Sequence, residues 1–509
     1  MNFLGFFLFN LMKKLLKNPG TYISIIVLIS CIVFLFKIIQ IDILPLKILV
    51  PLCVAFLCVC LLSVLLWIKA KKLFTKIIAC LSSIVLIFTS GFGIKYITET
   101  VDSIMMISTN DTKTKKIISI YALKMSAVKE EKDLKGRTIG ILTNNNRENV
   151  DICLNKLNQD VEIKEYTSSI ELVKDFKGQA IDCICIDQMY LDTIEDYEGF
   201  ENFEDDIREV YSYTYYIDKE NTVDDIDVIK EPFSVLISGI DTRTEGFDDG
   251  DSRSDVNMVI TVNPTTKQIF MLSIPRDYYV TTVCDASAGC GNGQKDKLTH
   301  TGWHGVATTE RTIENLLSID INYNVRVNFK TVRTIVDLLD GIDIYSSQTI
   351  ENVGNGNTTC TVYEGNNHLN GECALGYARE RYAYSDGDRQ RGKNQMQVLT
   401  AIIKKMVSPA LLSNFSEIME TMSDLIQTNM DMNQVFALVK QQLNEGVSWS
   451  IYTYSLNGSG GTDFAYELGD YAYVMYPDET TINNAKADIQ SIMNGETPPY
   501  VNSKDATAE

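Results

Sequence analysis

The chain has 509 residues, with 66 acidic side chains against 46 Lys and Arg, a formal charge of 46 − 66 = −20. Residues 1–100 hold ten Lys and two acids, a net of +8, so the other 409 residues carry −28. That split excludes a simple soluble enzyme and a nucleic-acid binder, which needs a basic domain, and the 22% charged and 45% hydrophobic contents exclude general disorder.

Three stretches near the N-terminus lack any charge: residues 18–36, 48–68 and 77–94, each framed by lysines. Runs of that length cross a hydrocarbon core of about 30 Å as helices, the only open structure that satisfies its own backbone there. Pro51 is expected in the first turn of the second span, where a missing N–H costs little. No A-x-A-like site follows the first stretch and two more come after it, so a span is expected rather than a cleaved signal peptide. Residues 1–12 are apolar but short and are expected in the bilayer interface. Lys13, Lys14 and Lys17 precede the first span, and Lys69, Lys71, Lys72 and Lys76 separate the second from the third. By the positive-inside rule this is a multi-pass cell-membrane protein, with a cytoplasmic N-terminus and residues after about 96 extracytoplasmic. Seven of the twelve cysteines lie outside the spans, and Cys284/Cys290 and Cys360/Cys373 are spaced to close short loops as disulfides in an oxidising space.

Between about residues 115 and 228, strands and helices alternate. Strands are expected at 137–142 (RTIGIL), 161–166 and 180–186 (AIDCICI), with helices at 149–157 and 168–176. That order predicts a small α/β unit with a parallel sheet. The acidic run 192–231 is expected to be solvated surface and linker. Through DLKGRTIGIL and GQAIDCICID this segment resembles one lobe of a periplasmic solute-binding protein. Ligand sensing and a spacer or docking role are both open, although a binding cleft usually needs two lobes.

Residues 233–240 (FSVLISGI), 256–262 and 268–274 read as strands, with a turn at Asn263-Pro264-Thr265-Thr266. They deliver Asp241, Asp255, Arg276 and Asp277 at or beside their ends, where an open α/β sheet places its ligand. Helices are expected at 308–317 and 331–339, the latter closed by Gly341, with a strand at 325–329 between them. A helix opens near Asp388, a residue suited to an N-cap, and carries Arg391 and Gln395 on one face. Further helices are expected at 415–425 and 432–443, a strand at 449–456 and a frayed polar end at 497–509. Arginine forks match phosphate oxygens, and Mg²⁺ is usually held by one or two carboxylates plus substrate phosphates. The inventory therefore suits a metal-bound pyrophosphate. His300 and His304 are expected in packing or surface roles, and Ser252 and Ser254 lack a His partner for a hydrolase triad.

The motifs LISGIDTR, SRSDVNMVITVNPTTKQIFMLSIPRD, KDKLTHTGWHG, LLDGIDIY and LNGECALGYARERYAYSDGDRQRGKNQ resemble the LytR–CpsA–Psr family of cell-wall glycopolymer ligases. The resemblance implies an α/β/α catalytic domain with a mostly central mixed sheet. It implies a membrane-anchored phosphotransferase that moves a glycan from a polyprenyl-pyrophosphate carrier to a peptidoglycan acceptor, forming a phosphodiester. By the family pattern Asp241 and Asp255 hold Mg²⁺. Arg276, Arg379, Arg381, Arg391 and Gln395 grip the pyrophosphate, with Arg253 and Lys297 as further candidates. Asp277 orients Arg276 or acts as a base. The chain departs from the pattern in the acidic loop between Asp241 and Asp255 (Glu245, Asp248, Asp249, Asp251), and in Asn394, which stands where the family usually has an arginine. Lys393 or Arg389 is a candidate to replace that charge.

The expected organisation is a membrane domain at 1–100, an extracytoplasmic accessory domain and linker at 101–231, a catalytic domain at 232–496 and a polar tail at 497–509. The expected partners are the lipid-linked glycan, peptidoglycan and the bilayer, with no nucleic acid. A hydrolase acting on the same lipid pyrophosphate and a non-catalytic extracytoplasmic sensor are the alternatives.

Overall fold

The computed structural model describes residues 19–41, 44–69, 72–108, 113–143, 146–195, 197, 199–218, 226–240, 252–285, 289–354, 358–384, 388–406 and 426–501. The expectations at residues 1–12, at Lys13, Lys14, Lys17 and Lys71, at Asp241 with its acidic loop, and at 415–425 lie outside those residues. The chain divides into two units, one holding the apolar helices with residues 431–447, the other most of the chain from residue 107 onward.

In the first unit, α1 (Pro19–Ile41), α2 (Leu46–Lys69) and α3 (Leu73–Ser108) are the three helices, among the described residues, long and apolar enough to cross a membrane. Their contacts use small and polar residues, as packing between apolar helices requires. A Cβ on Gly20 would meet the Trp67 ring and one on Gly93 the Phe34 ring, while Trp67 Nε1 donates to Ser83 Oγ at 2.9 Å. Large apolar side chains such as Phe36 and Phe88 face outward. Pro51 is not in the first turn. Helix α2 opens at Leu46, because the Pro45 carbonyl accepts from Ile48 and Leu49, so Pro51 lies inside it. The helix expected at 432–443 runs Met432–Glu445 and groups with this unit.

The second unit opens with a five-stranded sheet ordered β3-β2-β4-β1-β5. Strands β2 (Thr138–Leu142), β3 (Glu162–Tyr166) and β4 (Cys183–Asp187) are parallel, connected through α4 (Arg147–Leu157) and α5 (Ser169–Lys177). The sheet is nevertheless mixed. β1 (Lys113–Leu123) runs antiparallel to β4, and β5 (Ile207–Asp218) antiparallel to the whole of β1. The expected linker is therefore strand where β5 runs. Ile207, Tyr211, Tyr213, Tyr215 and Ile217 recur at alternate positions, and Tyr215 packs into the core with Ile118 and Ile120. The acid-rich composition hid a period-2 pattern.

Two short hairpin-like pairs, β9 (Tyr279–Thr281) with β10 (Lys295–Lys297) and β12 (Ile342–Ser346) with β13 (Gly365–Leu369), stand apart from the larger sheet, which is ordered β14-β11-β6-β7-β8-β15. β6 (Phe233–Ile240), β7 (Ser254–Asn263) and β8 (Gln268–Ile274) form an antiparallel meander. β11 (Tyr323–Asn328) joins β6 in parallel and β15 (Ser450–Ser455) joins β8 in parallel, while β14 (Ile426–Thr428) is antiparallel to β11. Buried runs such as QIFMLSI explain why both faces are covered. α6 (Val306–Leu317) and α11 (Glu479–Met493) supply Ile313, Leu317, Ile482 and Ile489 to one core. On the sheet's other side α9 (Asp388–Met406) contributes Met396 to a second. α7 (Phe329–Leu338) and α8 (Gly371–Arg379) complete the helical layer of this unit; α10 is the Met432–Glu445 helix of the first unit. Asp388 is the first residue of α9. A hairpin not expected from sequence, β16 (Gly458–Ala465) with β17 (Asp470–Pro477), precedes α11. Residues 497–501 are not frayed: the Tyr500 amide donates to Asp488 Oδ1 at 2.9 Å.

Both expected disulfides, Cys284–Cys290 and Cys360–Cys373, are present, the second anchoring the first turn of α8.

Candidate functional site

β7 and β8 leave the sheet at neighbouring points, and the site grows there. Asp255 is the second residue of β7, and Arg276 and Asp277 follow β8 after Pro275. Arg276 Nη1 donates to Asp255 Oδ1 at 3.0 Å, and Thr299 Oγ1 donates to the same oxygen at 3.1 Å. Asp277 sits between two cations, with Oδ2 3.7 Å from Arg276 Nε and Oδ1 3.5 Å from Lys297 Nζ. These side chains are largely buried, so the charges meet with little water between them.

Burial pushes the Asp255 carboxyl up, but Arg276, Arg253 and Arg391 together outweigh it and hold the group below the ordinary carboxylate value. Asp255 is therefore ionised, and Arg253 and Arg391 are near enough for their charge to bear on it.

Local packing sets each position. A Cβ on Gly302 would come within 2.5 Å of the Ser252 carbonyl oxygen and the Ser254 nitrogen, so the 3₁₀ segment Leu298–His304 lies flat against the backbone that carries Arg253. The Thr299 amide donates to the Arg276 carbonyl at 2.9 Å, and Leu298 to Tyr278 at 2.8 Å, so Lys297 and Thr299 are brought over the end of β8. A Cβ on Gly392 would sit 2.8 Å from Ser273 Oγ, which seats the first turns of α9 against β8 and brings Arg391 to the cluster. Ser254 Oγ donates to Asn257 Oδ1 at 2.7 Å and meets Ser238 Oγ at 2.8 Å, pinning the start of β7.

Arg379, Arg381 and Gln395 lie on α8, the turn after it and α9, and none of the bonds given above involves them. Arg379 is exposed at the end of α8, and Arg381 turns its guanidinium over the Tyr382 ring and donates to its hydroxyl at 2.9 Å. Both flank Glu380, which is buried and accepts from the amides of Gly354, Tyr382 and Ala383 at 3.0 Å each. Gln395 is half-buried on α9. Asn394, where the sequence resemblance expects an arginine, is fully buried and donates to the Tyr377 carbonyl at 3.1 Å, clamping α9 to α8. Asp241 lies outside the described residues.

Thr299, Glu380, Ser254 and Asn257 were missed from sequence. All four lie within the motifs quoted above, Thr299 in KDKLTHTGWHG, Ser254 and Asn257 in SRSDVNM and Glu380 in GYARERY, which was their available signal, but their partners are set by folding. His300 and His304 are buried and paired with Asp296 and Glu467 at 2.6 and 3.1 Å, which are packing roles.

Among the described residues no group of three or more His, Cys, Asp or Glu side chains is placed to hold a metal ion, and Asp255 offers one ligand of the kind Mg²⁺ takes. An ionised carboxylate is a hard oxygen ligand, both bonds described above fall on its Oδ1, and such an ion takes only one or two protein carboxylates beside phosphate oxygens.

Strand ends that gather carboxylates and arginines in a mixed sheet define an α/β protein with a charged cluster at its strand ends. The family described as LytR_cpsA_psr matches residues 205–490, more than half of the chain, and the chain belongs to that family. It is 35% identical over 231 residues to the polyisoprenyl-teichoic acid–peptidoglycan teichoic acid transferase TagU of Enterococcus faecalis (strain ATCC 700802 / V583), covering 43% of this chain and 72% of that protein. It is 34% identical over 253 residues to the TagU of Bacillus mycoides (strain KBAB4), covering 46% and 78%. Against the crystal structure of B. subtilis TagV the identity is 30%, with 53% of this chain and 99% of that chain covered and a TM-score of 0.42.

Proposed function

We propose that this chain is a membrane-anchored phosphotransferase that moves a glycopolymer from a polyprenyl-pyrophosphate carrier to peptidoglycan. The observation that carries the reading is the Arg276–Asp255 pair, with Arg253, Arg391 and Lys297 around it, in a member of a family whose relatives are named as teichoic acid transferases. In this reading the acceptor hydroxyl oxygen forms a bond to the glycan-side phosphorus. The bridging P–O bond breaks, polyprenyl monophosphate leaves, and the hydroxyl proton goes to a base.

Arg276, Arg253 and Arg391 neutralise charge developing on the phosphoryl oxygens, the contribution expected of preorganised cations in a site of low dielectric. Arg379, Arg381 and Gln395 then reach the pyrophosphate from the α8–α9 side. Asp255, with Asp241, would hold Mg²⁺, which when bound supplies further neutralisation of the pyrophosphate. Asp277 either orients Arg276 and Lys297 or receives the proton. The lysines around the apolar helices support a cytoplasmic N-terminus with the site on the cell-wall side.

The test uses the full-length protein in nanodiscs with a polyprenyl-pyrophosphate glycan, peptidoglycan fragments and Mg²⁺. Polymer joined to the acceptor is the expected product, lost on chelation. Free phosphorylated polymer would make the chain a hydrolase, and no turnover of the carrier would leave a sensor. Turnover unchanged by Asp255→Asn overturns the site.

A further inference from the structure

Residues 296–304 face two ways. Lys297 and Thr299 reach the site, approaching Asp277 and Asp255. Asp296, His300 and Trp303 turn inward and are 1–2% exposed. Asp296 Oδ1 accepts from the Lys297 amide at 2.6 Å and from His300 Nδ1 at 2.6 Å, and its Oδ2 accepts from the Glu467 amide at 2.7 Å. The His300 ring stacks on Trp303, 4.4 Å between centroids and 4° from parallel. One buried carboxylate thus fixes the backbone at Lys297, the start of the 3₁₀ turn and the loop between β16 and β17.

The far end of this chain of contacts is held by the accessory sheet. Trp303 lies 5.3 Å from Tyr190 and shares a core with Phe176, Ile184 and Ile186. The Trp303 carbonyl accepts from the ammonium of Lys116 on β1, a lysine itself buried. Burial pushes up the Asp187 carboxyl, and the charges of Lys116 and His304 oppose that rise. Asp187 is the last residue of β4. That is the carboxyl end of the parallel strands, where an open α/β sheet ordinarily holds a ligand. A second tie runs from the start of α5, where the Ser169 amide donates to the Leu468 carbonyl at 3.1 Å.

We propose that the accessory lobe is a docking module that grips the chain's own Trp303 turn, and that Asp296 and His300 are positioning residues which transmit this grip to Lys297 and Thr299. The inference rests on the phosphotransferase reading for its consequence, but its structural half does not depend on turnover. It accounts for a single solute-binding-like lobe. The lobe needs no second half, because the Trp303 turn occupies the end of the sheet where a ligand would sit.

The experiment compares full-length wild type with Lys116→Met, Lys116→Arg, Tyr190→Leu and Asp296→Asn, with Lys164→Met as control. Lys164 is on the exposed strand β3, paired with Asp175. Amide hydrogen exchange is followed across 296–304, together with kcat and carrier KM. Lys116→Met, Tyr190→Leu and Asp296→Asn should speed exchange at Lys297 and Thr299 about ten-fold or more, the weight of one hydrogen bond to a charged group. The first two should lower kcat more than they raise KM, and Lys116→Arg should restore both. Lys164→Met should leave both unchanged. Exchange at 297 and 299 that stays at the wild-type rate in Lys116→Met and Tyr190→Leu overturns the proposal. If either fails to fold, Asp296→Asn and the surviving variant decide it. Absence of turnover in wild type sinks the function reading alone, since the exchange comparison still stands.

Discussion

Arg276 Nη1 donates to Asp255 Oδ1 at 3.0 Å across the ends of two adjacent antiparallel strands. The guanidinium proposed to meet phosphate is thereby held by a carboxylate before any ligand arrives, and the carboxylate is kept ionised by the same contact. Removing either partner leaves the other in a largely buried place with less of its charge compensated, by Asp277 alone for Arg276 and by Arg253 and Arg391 for Asp255. Arg276→Ala should lower kcat roughly 10²–10³-fold, the cost of one preorganised donor. Arg276→Lys should recover little, because an ammonium cannot span Asp255 and Asp277 as a planar fork does. Transfer assays on purified variants decide this; near-wild-type rates in the alanine variant contradict it.

Asp277 stands 3.7 Å from Arg276 Nε and 3.5 Å from Lys297 Nζ. A carboxylate between two cations orients them, and Asp277→Asn should then raise carrier KM while kcat keeps the shape of its pH profile. If Asp277 takes the acceptor proton, kcat falls instead and the acid limb of the profile disappears. The pH dependence of kcat in wild type and Asp277→Asn separates the two roles.

Gly302 allows the 3₁₀ turn to lie on the backbone of residues 252–254. A methyl group there has only backbone atoms to displace. Gly302→Ala should cost about 1–3 kcal/mol, the usual toll of overpacking. It should also reduce transfer by shifting Arg253 and Thr299. Denaturant unfolding measures the first part; a variant as stable as wild type shows that the turn yields easily.

Burial pushes the Asp187 carboxyl above its ordinary value of 3.8, with Lys116 opposing the shift. The folded chain then binds this proton more tightly than the unfolded chain does. The Asp187 contribution to stability therefore falls as pH rises from 3.8 to the folded value. Asp255 has the opposite sign: its contribution is fully present above 3.8 and is lost as pH falls through its depressed value. Unfolding of wild type and Asp187→Asn across acidic pH should give curves whose difference carries the Asp187 slope. Parallel curves refute it. In Lys116→Met the Asp187 carboxyl should titrate higher still, as followed by NMR.

Asn394, where the sequence resemblance expects an arginine, bonds to the Tyr377 carbonyl, away from solvent. Asn394→Ala should destabilise by about 1–3 kcal/mol through the unsatisfied carbonyl, while carrier KM changes little. A large KM change with intact stability would assign Asn394 to the ligand instead.

Periodicity and composition determined much of this protein. Charge-free runs of bilayer length required three apolar helices, and buried strands such as FSVLISGI and QIFMLSI announced the central sheet. Spaced motifs placed Asp255, Arg276 and Asp277 at strand ends, because those signals are local and lie within one element. β5 was legible in principle, since its tyrosines alternate, but acidic neighbours masked the pattern. Pro51 was misplaced because a helix start depends on which carbonyl accepts the first bonds, and here it is Pro45. What only the tertiary structure decided is non-local. Thr299 reaches Asp255 from 44 positions away and Lys297 reaches Asp277 from 20 positions away, and the Glu380 carboxylate folds the chain that follows it by accepting from the amides of Tyr382 and Ala383. The docking of an accessory lobe on Trp303 joins Lys116 to a carbonyl 187 residues away. Such partners are chosen by close packing and by the need to satisfy every buried charge, and neither condition is written at any single position of the chain.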